Sequence, residues 1–276
     1  MNVMMRLMTR GDAMPSSIAR MQWCRSHGWD ADMHVNKVGI DIARSEVIAK
    51  ARESNADYLI MVDDDVVPTD RILRLPEHGV PVVSGCVPSW SFGKLFWCIF
   101  DLDEDGTYRS VTDFTEDHSL QQVYSVGGAL LCIRRDVLED TSQDPLFLFR
   151  RNSDGTVAHF GGEDCHFCQK VHRMGYPIYA DPGMVGEHTP RIELVRTLVE
   201  NADPNTDGGL ITVARYDTRQ YGCELPVSDS YRRMREQRRG DDGPPPEPAV
   251  QPPVSERATN VDGGSELRAA SFGRRG

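Results

Sequence analysis

Positive charge is scarce in this chain. Lysine and arginine total 31 against 42 aspartates and glutamates, a formal net charge of −11. That balance disfavours a general nucleic-acid binder, because neutralising phosphates takes a basic face, and it leaves room only for a local basic groove. Long apolar runs are missing too. The stretch "KLFWCIF" at 94–100 is among the longest and falls far short of the roughly 20 residues that span a bilayer. The N-terminus has no continuous signal-peptide core, so a soluble, cytoplasmic protein without a membrane span is expected. The cysteines number seven (Cys24, Cys86, Cys98, Cys132, Cys165, Cys168 and Cys223). An odd count set mostly in apolar sequence suits reduced cytosolic thiols rather than a disulfide framework. No repeat period is visible.

What is present is an alternation of strand and helix patterns. "NVMMRLMT" (2–9) reads as a strand, "PSSIARMQWCRSHG" (15–28) as a helix opened by proline and serines, and "DMHVNKV" (32–38) as a second strand. A helix over 41–56 follows, with Ile42, Val47, Ile48 and Ala51 along one side, then a third strand over 57–63. A βαβαβ start implies a mostly parallel sheet with crossover helices. After "PVVSGCV" (81–87) the pattern turns to longer, partly antiparallel strands, then a helix over 162–175 ending at Gly175 and a short strand over 177–181.

Residues 63–65 are three aspartates in a row at the end of the third strand. In an open α/β sheet, ligands bind at the carboxyl ends of the strands. Packed carboxylates raise one another's pKa unless a cation compensates, and a hard divalent ion with oxygen ligands is the usual compensation. Such an ion is suited to neutralising a diphosphate leaving group. The plainer reading is a solvated acidic turn ahead of a helix capped by Thr69.

The Asp63-x-Asp65 spacing resembles the metal-binding DxD motif of GT-A glycosyltransferases, in particular the large inverting family that uses nucleotide-diphosphate sugars. Two further stretches carry the resemblance, which covers roughly residues 1–195. Upstream, "NKVGIDIARSEVIAKARESNADYLIMVDDD" (36–65) resembles the segment in which an Ala-Arg pair opens a helix ahead of the DxD strand. This places Arg44 at the nucleotide, with Ser45 where the family usually has asparagine. Downstream, "FGGEDCHFCQKVHRMGYPIYADPGMVGEH" (160–188) resembles the acceptor-side helix with its Glu-Asp pair. The resemblance implies Asp164 as general base beside Glu163, and His188 completing a metal site with Asp63 and Asp65. Asp64, Gly127 and Gly128 are implied at the donor, the two glycines letting backbone approach the sugar. It implies a GT-A (Rossmann-like) mixed sheet flanked by helices as a single domain, with Mn²⁺ or Mg²⁺ as cofactor. The implied partners are a nucleotide-diphosphate sugar donor and a glycan, protein or other hydroxyl-bearing acceptor, a modified base included.

The residues fit these roles on physical grounds. A carboxylate in the first turn of a helix is kept ionised by the helix dipole, as a base opposite a leaving diphosphate needs to be. An imidazole beside carboxylates is an ordinary mixed shell for manganese. Simple helix capping also accounts for Glu163 and Asp164, and a strand bulge for Gly127 and Gly128. "CHFC" at 165–168, with His159 and His172 near, offers a zinc site only if a partner pair joins it; packing of the helix is the alternative. "LIMVDDDVV" also fits the strand of haloacid-dehalogenase-like phosphatases, with Asp63 as nucleophile and Asp65 as acid/base. A non-catalytic nucleotide-sugar or carbohydrate-binding module is a third reading, which the Glu-Asp pair opposes.

From about Ser228 the composition changes. The last stretch holds six of the 17 prolines, and residues 231–276 carry nine arginines against seven acids. The expected organisation is a GT-A-like domain over 1–225 and a disordered tail over 226–276, since such a segment buries too little to offset ordering.

Overall fold

The computed structural model describes residues 1–11, 13–91, 94–114, 119–151, 153, 162–188, 215–216 and 229–241. The chain opens with β1 (Val3–Thr9), α1 (Pro15–Ser26), β2 (Asp30–Val35), α2 (Ile40–Glu53) and β3 (Tyr58–Asp63). β1 pairs in parallel with β2 on one side and β3 on the other. α1 begins on a proline at its first position, where the missing N–H costs nothing and the fixed φ suits a helix.

There follow β4 (Val66–Pro68), β5 (Val82–Cys86), β6 (Pro88–Ser91), β7 (Lys94–Trp97), β8 (Ile99–Leu102), β9 (Tyr108–Ser110), β10 (Gln121–Val123), β11 (Ser125–Val126) and β12 (Leu130–Arg134). The chain continues through α3 (Arg135–Glu139), α4 (Glu163–Arg173), β13 (Ile178–His188), β14 (Arg215–Tyr216) and α5 (Asp229–Asp241). The main sheet runs β10-β13-β5-β12-β3-β1-β2, with β4 added on β13. Within it β12 is antiparallel to both β3 and β5, while β13 is parallel to β5. The result is a single α/β unit with a mixed sheet flanked by helices, as the resemblance implied. Beside it stand a smaller sheet, β11-β8-β9-β14, and the β6-β7 hairpin.

β3 is buried on both faces, and its alternation divides the core. Leu59 and Met61 pack with Val47, Ile48 and Phe167 on the face covered by α2 and α4. Ile60 and Val62 pack with Met21 and Cys24 of α1. Each such side chain contributes about 1.5–3 kcal/mol on burial, so the strand that presents the aspartates is anchored in the core on both faces of the sheet.

Three expectations are corrected. The strand expected at 177–181 continues to His188, passing Pro182 and Gly183 through a register shift between Asp181 and Val185. Thr69 precedes only a short 3-10 turn and makes no side-chain cap bond. The stretch assigned to the tail includes α5, whose Tyr231 is 0% exposed against Leu102, Tyr108 and Tyr124. The Tyr231 hydroxyl donates to Asp101 Oδ1 and accepts from the Leu102 amide at 3.0 Å. Arg235 donates to the Asp103 carbonyl at 2.8 Å. One aromatic anchor thus folds a segment that composition alone assigns to disorder. Among the described residues no helix is long and apolar enough to cross a membrane.

Candidate functional site

The three aspartates sit where β3 leaves the sheet. The Asp63 amide bonds the Ala129 carbonyl at 2.9 Å and the Asp64 amide bonds Met8 at 3.1 Å, so both neighbouring strands hold the turn. The chain then enters β4, which pairs antiparallel with the end of β13, setting Val66 opposite His188. That register brings Asp65 and His188 together across 123 residues of sequence, with His188 Nε2 3.3 Å from Asp65 Oδ2.

His188 Nδ1 lies 2.7 Å from the Pro88 carbonyl. A carbonyl can only accept, so Nδ1 carries the proton and Nε2 faces the carboxylate either as a protonated imidazolium or as a lone pair with a cation between them. Without such a cation the imidazole pKa is raised, first by its hydrogen bond to Asp65, and the Asp65 carboxyl is lowered by the same bond. An Nδ1–H held by a backbone carbonyl is also the usual outer support of a metal-ligating histidine.

Asp63 takes a different partner. Arg44, from α2, is 2% exposed, and its Nη2 donates to Asp63 Oδ1 at 2.9 Å and Oδ2 at 3.2 Å. Its Nη1 donates to Glu163 Oε1. Burial disfavours the guanidinium charge, but Asp63, Glu163 and Asp164 outweigh it and hold the pKa above its ordinary value. Burial pushes the Asp63 carboxyl up, against the pull of Arg44. It likewise pushes Glu163 up to about 7, with Arg44 opposing and Asp164 adding.

Glu163 and Asp164 occupy the first turn of α4 after a Gly162 N-cap in extended conformation, where the helix dipole favours negative charge. Asp164 Oδ1 accepts from the Cys165 amide at 2.7 Å, so part of its role is capping. Gly127 donates to the Cys98 carbonyl at 2.7 Å, and Gly128 lies against Arg44: a Cβ there would stand 2.8 Å from Nη2.

The structure therefore brings together Arg44, Asp63, Glu163 and Gly128 on one side and Asp65 and His188 on the other. It does not assemble the expected set of Asp63, Asp65 and His188, because both oxygens of Asp63 are turned to Arg44. Among the described residues no group of three or more His, Cys, Asp or Glu side chains is arranged to hold a metal ion. The "CHFC" stretch supports helix packing: Cys168 Sγ lies 3.4 Å from the Val126 amide, and His172 Nε2 lies 2.8 Å from the Tyr124 carbonyl. His159 lies outside the described residues.

A cleft of about 200 Å³ opens beside the aspartates, lined by Met8, Thr9, Arg10, Asn36, Val38, Ile40 and Ala43 as well as Asp63, Asp64 and Asp65. Its wall is shaped by Asn36, whose Oδ1 accepts from the Val38 amide at 2.8 Å and whose Nδ2 donates to Glu46 at 2.9 Å. Sequence reasoning missed these wall residues. For Met8, Thr9, Arg10 and Asn36 the signal was available, since they stand at or just past the carboxyl ends of β1 and β2, by the rule that points to Asp63; Ile40 and Ala43 come from the first turn of α2.

No family model matches. A curated protein of Bos taurus, "Probable inactive glycosyltransferase 25 family member 3", is 33% identical over 73 residues, 26% of this chain. The chain covers only 12% of that relative's length. Glycosyltransferases are among the solved structures it is similar to. A197 from STIV matches with TM-score 0.48 and 18% identity, over 69% of this chain and 87% of that one. GalNAc-T7 with UDP, GalNAc and Mn2+ matches with TM-score 0.41 and 12% identity, over 68% and 43%. A glycosyltransferase involved in glycosylation of the major capsid of PBCV-1 matches with TM-score 0.27 and 10% identity, over 50% and 63%. The reading of the site rests on its own geometry.

Proposed function

We propose that this chain is a metal-dependent glycosyltransferase that moves a hexose-type sugar from a nucleotide-diphosphate donor to an acceptor hydroxyl with inversion. The observation that carries the proposal is convergence. The acidic end of β3, the first turn of α4 and the end of β13 are far apart in sequence, yet Arg44 ties Asp63 to Glu163 and His188 meets Asp65.

Asp65 and His188 are the residues that would hold Mn²⁺ or Mg²⁺. Their donor atoms, 3.3 Å apart, suit a small divalent ion that also takes oxygens from phosphates and water. When bound, the ion supplies positive charge to the departing diphosphate. The cleft between β1, β2 and β3 takes the nucleotide, with Arg10 at its edge and Asp64 on its wall. Gly127 and Gly128 stand against Cys98 and Arg44, whose atoms fill the space a side chain would take there. The acceptor oxygen attacks the anomeric carbon as its bond to the diphosphate breaks, and the acceptor's proton passes to Asp164. Glu163, tied to Arg44, orients that turn. The six described cysteines are free, which supports a cytoplasmic setting.

The test is Asp164→Asn. The amide is nearly isosteric and the metal pair lies on other segments, so donor and metal binding should persist. Transfer should fall by roughly 10²–10⁴-fold, the usual worth of a positioned base. If Asp164 only caps α4, the rate per folded molecule should stay unchanged, with little loss of stability because asparagine caps about as well as aspartate, and the inverting mechanism fails.

A further inference from the structure

Arg44 stands at the centre of the site yet is closed off from any donor. Two of its three nitrogens are committed, Nη2 to Asp63 and Nη1 to Glu163. Its Cζ lies 5.5 Å from the Phe147 ring centroid. Phe147 in turn stacks on Phe167 of α4, with centroids 4.5 Å apart and planes 1° from parallel. Against Gly128, a methyl would meet Nη2 at 2.8 Å and come closer still to Nη1 and Cζ. The remaining nitrogen, Nε, is buried and finds no acceptor among the described residues.

We propose that Arg44 is a positioning residue rather than a nucleotide ligand. It is a buried tie that fixes the carboxyl end of β3 against the first turn of α4, and residue 128 is glycine to make room for it. The inference rests on the glycosyltransferase reading only for what is positioned: Asp63 is two residues from Asp65, and Glu163 is next to Asp164.

The chemistry favours arginine for this task. A guanidinium is a planar fork of five donors, able to hold two carboxylates from different elements in fixed geometry, whereas an ammonium is a point charge on a flexible stem. Two carboxylates face one cation here, so removing the cation leaves the largely buried Glu163 without its counter-charge and Asp63 held only at the cleft wall. Gly128 belongs to the same device, because Nη1 and Nη2 occupy the space its side chain would fill.

The test uses the full chain with Arg44→Lys, Arg44→Met, Gly128→Ala and the two double variants. Thermal and urea unfolding are read first, then kcat and donor KM over a panel of nucleotide-sugar donors with Mn²⁺. Gly128→Ala should lower the melting temperature in the parent and cost much less beside Arg44→Met, which lacks the three crowded atoms; the difference is the coupling between the two sites. Should Arg44→Met fail to fold, the cycle is read on Arg44→Lys, which lacks both Nη atoms. Arg44→Lys should lower kcat about 10²-fold, as a misplaced catalytic group does, with donor KM nearly unchanged. Equal cost of Gly128→Ala in both backgrounds would overturn the tie. A raised donor KM with unchanged kcat would instead make Arg44 a donor ligand. If the parent turns over no donor, the functional reading fails, and the stability cycle still decides the tie.

Discussion

Glu163 should make this protein less stable as pH rises through the mildly acidic range, and Glu163→Gln should remove that contribution to the slope. Burial raises the carboxyl from an ordinary 4.5 to about 7 in the folded chain, where the side chain is 12% exposed. Between those values the folded state keeps a proton that the unfolded state has released. Stability therefore falls as pH rises through that window, and the loss is complete above the folded value. A gap of about 2.5 pH units at ~1.4 kcal/mol each gives about 3 kcal/mol. Glutamine keeps the shape and an oxygen for Arg44 but cannot titrate. The stability of the variant relative to the parent should thus rise by about 3 kcal/mol between pH 4 and pH 8, roughly 6–12 °C in melting temperature for a domain of this size. Asp63, shifted in the same direction, is common to both proteins and largely cancels. Urea unfolding at several pH values, with unchanged m-values as the control, reads the difference directly. Parallel stability curves for parent and variant would refute the claim that burial holds the proton on Glu163.

Asp65→Ala and His188→Ala should each weaken Mn²⁺ binding measured by calorimetry, Asp65→Ala the more, since a carboxylate supplies charge as well as a ligand; binding like the parent's would remove the metal role. Tyr231→Ala should cost about 3–5 kcal/mol, as large aromatic truncations in a core do, whereas cutting the chain after Asp241 should leave the melting temperature unchanged. A Tyr231→Ala protein as stable as the parent would show that α5 contributes nothing to the fold.

The sequence made some of this legible and hid the rest for physical reasons. β1, α1, β2, α2 and β3 were readable because each carries its own periodicity, and Asp63 because strand-end acids are conspicuous beside Leu59–Val62. The length of β13 was not, since Pro182 and Gly183 normally end a strand and here ride through a bulge. The partners of Arg44 were hidden as well. They lie 19 and 119 residues away in sequence, and a buried arginine is patterned like an exposed one until its carboxylates are placed. α5 was lost to composition: a window full of arginine masks the single tyrosine that anchors it. The pairing of Asp65 with His188 follows from the β4–β13 register, which no local pattern encodes.

The position of β12 between β3 and β5 sets the order in which the molecule can be built. β3 and β5 are close in sequence but never pair with each other, and each lacks a neighbour until Leu130–Arg134 has been made and inserted. Until then the chain holds a βαβαβ unit with an open apolar edge at Tyr58–Asp63, the kind of edge that templates pairing with other chains. Closing it requires a long loop to be ordered before any contact rewards it, which slows folding. The arrangement that places the aspartates at the middle of the sheet is therefore also the one that leaves the β3 edge unpaired until β12 has been made.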